Sequence, residues 1–247
     1  MRTYLFAALF ISTTLAAAQS GANWSYEGHS GPLVWGKLDS AYAACSKGHD
    51  QSPIDIRGAR LNKGLQPLRF NYIAGPMTIE DTGRGIVIYV DRGSWLEANG
   101  TRYQLTELDF HYPSEHPVKG KLSDMEVDLV HRSDDGKEAI VAVLLSEKRG
   151  NPNALLATLW AHLPQAAGAK TKVTEMLSAG GLLPGDPGYW TYEGSEVTPP
   201  CTEGVRWFVM EDELSISREQ VRAFSGLVRM NTRPVQDAHG RKIEANE

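Results

Sequence analysis

The chain has 247 residues, of which 41% are hydrophobic and 22% are charged, and its formal net charge is −5. These values are ordinary for a soluble globular protein with one sizeable core or two small ones. The negative net charge argues against nucleic acids and anionic membrane surfaces as partners, because both repel an acidic protein. The sequence contains neither a long run of like charges nor a low-complexity tract.

The N-terminus has the pattern of a secretory signal peptide. Arg2 supplies a positive charge, residues 4–15 are mostly apolar, and the alanines at 16–18 provide small residues for cleavage. A membrane anchor is the alternative, but this run is too short to span a hydrocarbon layer of about 30 Å. No later apolar run is long enough to do so. We therefore expect residues 1–18 to be removed and residues 19–247 to form one secreted or periplasmic domain.

Cys45 and Cys201 are the only cysteines in the sequence. In an exported chain two lone cysteines most simply pair with each other, so we predict a structural disulfide. A catalytic thiol is disfavoured because the compartment is oxidising.

Short runs in which apolar and polar residues alternate fill the middle of the chain. Such alternation is typical of half-buried antiparallel strands, and the pairs Asn99-Gly100 and Asp135-Gly136 suit hairpin turns. The predicted strands cover residues 86–90, 95–98, 102–112, 125–132, 139–146, 205–210 and 213–216.

Two helices are predicted beside these strands. Asn151 can cap a helix over residues 152–163, which has a proline at its first position. Ser217 and Gln220 form a capping box ahead of residues 221–228. Because strands outnumber helices, we expect a mainly β fold, with one twisted, mainly antiparallel sheet and a few helices on its outside.

Two runs, 107–111 and 126–130, carry the clearest chemical signal. Alternate residues of a strand share one face. If these two strands pair, Asp109, His111 and Asp128 can converge on one point. A histidine with carboxylates on rigid strands is a reasonable metal site.

The chain also resembles the alpha-class carbonic anhydrases over nearly all of its length after the signal peptide. The resemblance rests on several motifs in the order and spacing of that family, and the cysteine pair matches the bridge of its bacterial members. The matching motifs are Gln51-Ser52-Pro53-Ile54, Ser114-Glu115-His116, Tyr189-Trp190-Thr191-Tyr192, Gly194-Ser195, Thr198-Pro199-Pro200-Cys201 and Arg233-Pro234-Val235-Gln236.

This resemblance implies a ten-stranded, mostly antiparallel twisted sheet with a conical cavity. In the family, three histidines on two strands hold zinc at the cavity floor, and a hydroxide on the zinc attacks carbon dioxide. The three ligand positions are Asp109, His111 and Asp128 in this sequence, so only one of the histidines is present. The chain therefore resembles an acatalytic, carbonic-anhydrase-related member of the family.

Other positions of the family's site differ as well. The residue that orients the hydroxide, a threonine in the family, is Val197, and the leucine before it is Glu196. The position of the proton-shuttling histidine is Arg84, and Glu115 has lost the threonine whose hydrogen bond it accepts in the family. The resemblance also places a set of residues around the pocket: Glu107, Glu126, Val130, Val141, Val143, Thr198 and Trp207.

These replacements disfavour the zinc chemistry of the family. Zinc prefers nitrogen and sulfur ligands, whereas carboxylates suit harder cations. Two carboxylates would also cancel the charge that lowers the pKa of zinc-bound water to about 7. Val197 has no hydroxyl group, and Arg84 keeps its proton at neutral pH. We expect ordinary carbon dioxide hydration to be weak or absent, with a harder divalent cation, another ligand or no occupant near His111.

Three functions follow from these features. The carboxylates near His111 cannot all ionise without a counter-charge, which favours a protein that binds a hard cation or a basic small molecule. Alternatively, Asp109 and Asp128 form internal hydrogen bonds and bind nothing. The second function is an enzyme of different chemistry that uses the carboxylates as general acids and bases. The third is a residual carbonic anhydrase with an Asp-His-Asp zinc site.

Structural roles are assigned to the other histidines and to the tryptophans. His116 fits the Ser-Glu-His motif as a buried hydrogen-bonding residue, and His131 lies at the end of a strand. Trp24 and the other tryptophans are expected to pack in the core.

Overall fold

A computed structural model describes residues 23–147 and 152–246, so the predicted signal peptide lies outside the described residues. In this part of the chain, thirteen strands join in one twisted sheet. The strands are β1 (Arg60–Leu61), β2 (Arg69–Asn71), β3 (Gly75–Asp81), β4 (Ile86–Val90), β5 (Trp95–Ala98), β6 (Thr101–His111), β7 (Met125–Ser133), β8 (Glu138–Glu147), β9 (Lys170–Leu177), β10 (Tyr189–Ser195), β11 (Glu203–Met210), β12 (Leu214–Ile216) and β13 (Glu244–Ala245).

The sheet is mostly antiparallel, as predicted. Ten strands follow one path in the order β1-β13-β10-β11-β8-β7-β6-β4-β3-β9, while β12 pairs with β8, and β5 pairs with β6 and β2. Parallel pairing joins β11 to β8, β12 to β8, and β1 to β13. The described sheet therefore has thirteen strands, three more than the predicted ten.

The strands predicted from alternation are all present, with ends that shift by at most two residues. The predictions for 86–90 and 95–98 coincide with β4 and β5, and the prediction for 102–112 corresponds to β6. Six strands are missing from the prediction: β1, β2, β3, β9, β10 and β13.

The central strands β7 and β8 are buried on both faces of the sheet. Successive side chains of a strand point to opposite sides. Leu129 and Val141 therefore belong to the larger core, whereas Val130 and Ile140 belong to a smaller core on the other face. Because a slip of one residue would exchange the two sets, the register of these strands is strongly specified.

The helices of the described chain are short and lie outside the sheet. The longest has eight residues, and no described helix is long and apolar enough to cross a membrane. The α-helices are α1 (Trp35–Leu38), α2 (Ala44–Lys47), α3 (Ala154–Trp160) and α4 (Arg218–Ser225).

Helix α3 begins later than predicted. Its cap is Asn153, whose side chain accepts a hydrogen bond of 2.9 Å from the backbone nitrogen of Leu156. Pro152 precedes the helix, and the predicted cap, Asn151, lies outside the described residues. The prediction chose the wrong asparagine because both Asn151 and Asn153 precede the same apolar run.

Helix α4 begins at the predicted capping box. The Ser217 side chain accepts a hydrogen bond from the Gln220 backbone, and the Gln220 side chain accepts one from the Ser217 backbone. The helix ends at Ser225, three residues short of the predicted end. Trp160 of α3 donates a hydrogen bond of 3.0 Å to the Gln220 carbonyl and stacks on Phe224, so the two helices pack together.

The predicted disulfide between Cys45 and Cys201 is present. It lies in a small core with Trp35 and Tyr42. The bridge spans 156 residues of sequence and joins α2 to the loop between β10 and β11. The guanidinium of Arg233 donates a hydrogen bond of 3.0 Å to the Cys45 carbonyl, which adds a second connection at the same place.

Replacing both cysteines (Cys45→Ala with Cys201→Ala) should lower the free energy of unfolding by about 2–5 kcal/mol, because the unfolded chain regains the freedom of a long loop. Denaturant unfolding of the oxidised wild type, the reduced wild type and the double variant measures this change. The reduced wild type should behave like the variant, and identical midpoints for all three proteins would show that the bridge does not stabilise the fold.

Candidate metal centre

The candidate site lies where β6 and β7 pair. The two strands are antiparallel, and their register places Asp109 directly opposite Asp128 and His111 directly opposite Glu126. Since alternate residues of a strand share a face, these side chains lie on one side of the sheet. The predicted pairing of the two acidic runs is confirmed.

A cavity of about 200 Å³ opens on this side of the sheet. Acidic, aromatic and aliphatic side chains form its surface, and they come from β4, β6, β7, β8, the N-terminal segment and the loop after β10. Most of the predicted site residues line it, namely Arg84, Glu107, Asp109, His111, Asp128, Val130, Glu196, Val197 and Thr198.

Four predicted pocket residues do not line the cavity, namely Glu126, which is described below, and Val141, Val143 and Trp207. Val141 and Val143 belong to the larger core on the opposite face of β8, because they are one residue out of phase with the residues that face the site. Ile140 lines the cavity in their place. Trp207 is fully buried in the smaller core, of which Val130, Ile140 and Val197 reach the cavity surface.

His111 is buried, with only 4% of its surface exposed. Its Nδ1 lies 3.0 Å from the Asn231 carbonyl oxygen, which can only accept a hydrogen bond, so Nδ1 carries the proton. Nε2 has no hydrogen-bond partner in residues 23–147 and 152–246. Burial lowers the pKa of His111, which keeps the ring neutral and leaves the Nε2 lone pair available to a ligand.

Asp128 is the nearest carboxylate to this lone pair. Its Oδ2 lies 3.6 Å from His111 Nε2, and the residue is 2% exposed. Both of its carboxylate oxygens lack a hydrogen-bond partner in the described part of the chain. Burial, followed by the charges of Glu126 and Glu115, raises the pKa of Asp128 well above its usual range.

Glu115 joins this pair although it lies on the loop after β6. Its Oε1 accepts a hydrogen bond of 2.7 Å from the Arg233 backbone nitrogen and lies 3.6 Å from His111 Nδ1. Its Oε2 is buried without a hydrogen-bond partner among the described residues, in line with the loss of a partner hydroxyl. Burial, and then the charge of Glu126, raises the pKa of Glu115 well above its usual range.

One atom from each of His111, Glu115 and Asp128 lies within 4.8 Å of the other two. Asp109 is not part of this group, although its Oδ1 is also buried without a hydrogen-bond partner in the described chain. Burial and neighbouring carboxylates raise the pKa of Asp109. The structure therefore gathers two of the three predicted ligands and adds Glu115, which the sequence analysis did not count among them.

Glu126 is also at this end of the strands, but its carboxylate is fully engaged. It accepts hydrogen bonds of 2.8 Å from the backbone nitrogens of Glu115 and His116, and one of 2.6 Å from His116 Nδ1. Burial alone would raise the pKa of Glu126, but the charge and hydrogen bonds of His116 lower it to about 2. His116 Nε2 lies 2.7 Å from the Tyr192 hydroxyl, which confirms its predicted role as a buried hydrogen-bonding residue.

The unpartnered atoms define the kind of ion that fits this site. They are one imidazole nitrogen and several carboxylate oxygens, where the family has three neutral imidazoles. Oxygen donors favour cations harder than zinc, and Mn²⁺ is a divalent ion suited to them. The residues therefore fit a divalent cation, but they do not reproduce an all-histidine zinc centre.

A second group of charges forms the cavity wall. Arg132 donates to Glu138 across 2.8 Å, where β7 and β8 pair directly. Burial raises the pKa of Glu138 to about 7, with contributions from Glu196 and Glu107, while Arg132 opposes this shift. The sequence analysis did not identify Glu138 as a cavity residue. Because Glu138 lies two residues before Ile140 on β8, the two side chains share the face that lines the cavity, and this spacing could have indicated it.

Aromatic residues of the N-terminal segment complete the cavity. Arg84 lies over the Trp24 ring at 4.3 Å, and Tyr26 lines the cavity beside them. Burial, then the charges of Glu115 and Asp109, raises the pKa of Tyr26 well above its usual range. Trp24 packs against the small core, as expected, and it also lines the cavity with Arg84 on its face.

Comparisons with known proteins agree with this architecture. The family model for eukaryotic-type carbonic anhydrases matches residues 30–247. A carbonic anhydrase from Klebsiella pneumoniae is 37% identical over 240 residues, which are 96% of each chain. The structure of a hyperthermostable carbonic anhydrase from a hydrothermal vent chimney has a TM-score of 0.87 and 38% identity, and it covers 91% of this chain and 100% of that one.

A dioscorin solved in complex with ascorbate is also similar, with a TM-score of 0.83 and 32% identity over 90% of this chain and 97% of that one. The chain thus belongs to the alpha, or eukaryotic-type, carbonic anhydrase family.

Glu138→Gln should make the protein more stable relative to the wild type as the pH rises. The pKa of Glu138 is raised from 4.5 to about 7 in the folded state. Its protonated form therefore favours folding below pH 4.5, and this contribution is lost as the pH rises through 7. The difference in unfolding free energy should grow by about 1–2 kcal/mol between pH 4.5 and 7, after allowance for solvent screening.

Urea unfolding at several pH values measures this difference. Glu97→Gln, a change at a partly exposed glutamate on β5 that also pairs with an arginine, is the matched control. A constant difference between wild type and Glu138→Gln over this range would contradict the expected titration.

Proposed function

We propose that this protein is an exported member of the carbonic anhydrase family that binds a divalent cation of the Mn²⁺ type at the base of its cavity and hydrates carbon dioxide weakly or not at all. The observation that carries this proposal is the set of buried, unpartnered acceptor atoms around His111 in the described chain. A buried polar atom without a partner costs about 1–3 kcal/mol, so a positive ion among several of them gains a large interaction energy.

The balance of charge supports a cation as well. Among the described residues, five carboxyl groups and two guanidinium groups line the cavity, and Glu115 adds a sixth carboxyl beside His111. Arg132 is engaged by Glu138, and Arg84 stacks on Trp24. A divalent ion would allow the deeper carboxyls to ionise in spite of burial. The six carboxyl residues are Glu107, Asp109, Glu115, Asp128, Glu138 and Glu196.

The same residues are poorly suited to hydrate carbon dioxide. A bound divalent cation would supply positive charge and a polarised water, but two carboxylate ligands would offset that charge. Val197 offers no hydroxyl to orient a nucleophile, and Arg84 holds its proton at neutral pH. Glu138 and Glu196 also place carboxyls on the wall, where an apolar molecule such as carbon dioxide gains little from binding.

The cavity charge further favours a cation over an organic anion. The related dioscorin was solved in complex with ascorbate, a small organic molecule. In this chain, carboxyls from three strands and from the loop after β10 line the cavity and would repel an organic anion. A metal ion or a basic small molecule fits this charge.

Residual carbonic anhydrase activity is the second candidate function. It is favoured by the relatives, since the Klebsiella pneumoniae protein is named a carbonic anhydrase at 37% identity over nearly the whole chain. It requires the ion at His111 to activate water despite its carboxylate ligands. An enzyme of different chemistry that uses the cavity carboxyls remains a further prediction from the sequence.

Export is supported by two independent features. The first eighteen residues have the signal-peptide pattern. The Cys45–Cys201 disulfide is typical of proteins outside the reducing cytosol. We therefore place the mature protein in the periplasm or the extracellular space.

The first test is metal binding by the mature protein. Elemental analysis of the protein as purified, followed by calorimetric titration of chelator-treated protein with Mn²⁺, Mg²⁺, Ca²⁺ and Zn²⁺, should show saturable binding of one ion, with Mn²⁺ favoured over Mg²⁺ and Ca²⁺ because of the histidine ligand. His111→Gln is the control and should bind at least about tenfold more weakly. Absence of saturable binding by all four ions would refute the cation site.

The second test separates the two candidate functions by activity. Zinc-loaded wild type should hydrate carbon dioxide close to the uncatalysed rate. The triple variant Asp109→His, Asp128→His and Val197→Thr restores the ligands and hydroxyl of the family, and it should gain about 100-fold or more. Fast hydration by the wild type, with only a modest gain in the variant, would establish the residual carbonic anhydrase instead.

A further inference from the structure

We infer that Glu115 is a direct ligand of the cation, together with His111 and Asp128, and that Asp109 lies outside the ligand set. This inference rests on the proposed function, because it names the residues that hold the proposed ion. It departs from the expectation in the sequence, where the two aspartates flank His111 as equivalent ligands.

The first argument for this ligand set comes from the distances between the candidate ligand atoms. Atoms of His111, Glu115 and Asp128 lie within 4.8 Å of one another, and Asp109 contributes none to this group. Oxygen ligands lie about 2.0–2.6 Å from divalent ions, so two ligands on opposite sides of one ion are separated by about 4–5 Å. One ion can therefore contact all three side chains after only small adjustments.

The second argument comes from the buried atoms of these residues that lack hydrogen-bond partners. His111 Nε2 and both oxygens of Asp128 are buried and lack hydrogen-bond partners in the described chain, and so does Glu115 Oε2. All three residues are at least 95% buried. The His111 Nε2 lone pair faces the Asp128 Oδ2 oxygen at 3.6 Å, with the ring proton on the far nitrogen, and two acceptor atoms this close indicate a cation between them.

The third argument comes from the hydrogen bonds that hold Glu115 in position. Its Oε1 is fixed by the Arg233 backbone nitrogen at 2.7 Å, and its own backbone nitrogen donates to Glu126 at 2.8 Å. These bonds hold the carboxylate while leaving Oε2 without a partner among the described residues. Glu115 is thus a preorganised ligand that can offer one oxygen without breaking an existing hydrogen bond.

The test compares two isosteric substitutions that each remove one carboxylate charge near the ion. Glu115→Gln keeps a carbonyl oxygen that can accept the hydrogen bond from Arg233, so it should fold. Asp109→Asn is its matched control, because Asp109 also has a buried oxygen without a partner but lies outside the ligand group. Asp128→Asn is the positive control for the loss of a ligand.

The measurements are the Mn²⁺ dissociation constant, the paramagnetic resonance spectrum of bound Mn²⁺, and the rise in melting temperature on Mn²⁺ addition. Glu115→Gln and Asp128→Asn should weaken binding by about 100-fold and alter the spectrum. Asp109→Asn should weaken binding at least about tenfold less than Glu115→Gln and leave the spectrum close to that of the wild type.

The outcomes distinguish the inference from the proposed function. Equal weakening by Glu115→Gln and Asp109→Asn would mean that only cavity charge matters, and it would overturn the inference. A larger effect of Asp109→Asn would assign the ligand to the position expected from the sequence, with the cation site intact. Absence of Mn²⁺ binding by the wild type would remove both the inference and the proposed function.

Discussion

A buried hydrogen-bonded pair, Glu126 and His116, holds the candidate metal centre in place. The Glu126 carboxylate lies on β7 and receives three hydrogen bonds from the loop after β6, including the backbone nitrogen of Glu115. The other ring nitrogen of His116 forms a hydrogen bond with the Tyr192 hydroxyl on β10. Because breaking such a pair leaves an uncompensated buried charge, the loop that carries Glu115 cannot move away from the strands that carry His111 and Asp128.

The contrast between Glu126 and its neighbours separates structural from functional carboxyls. Glu126 has its acceptor atoms occupied and a pKa near 2, whereas burial raises the pKa of Asp128 and Glu115. The three carboxyls differ in their hydrogen-bond partners and not in their burial, since all three are almost fully buried. The large, two-sided core around β7 and β8 provides the stability that allows the unpartnered groups to persist.

Most of the fold could be predicted from the sequence because the central strands alternate clearly or match the family motifs. Strand β9 escaped prediction since Val173 is its only buried residue, and its polar side chains give no alternation. The errors at Val141 and Val143 came from a shift of one residue, which reverses the face of a strand. Glu115 could be found as a family residue, but its place among the ligands depends on a loop conformation that no periodicity encodes.

The cavity also depends on the segment that follows the predicted signal peptide. Trp24 and Tyr26 form part of its surface, and they pack on Trp35 in the small core that contains Cys45 and Cys201. The covalent link fastens this segment to the loop that carries Val197, on another side of the same cavity. The disulfide therefore ties two walls of the cavity together, which links the shape of the site to the redox state of the two cysteines.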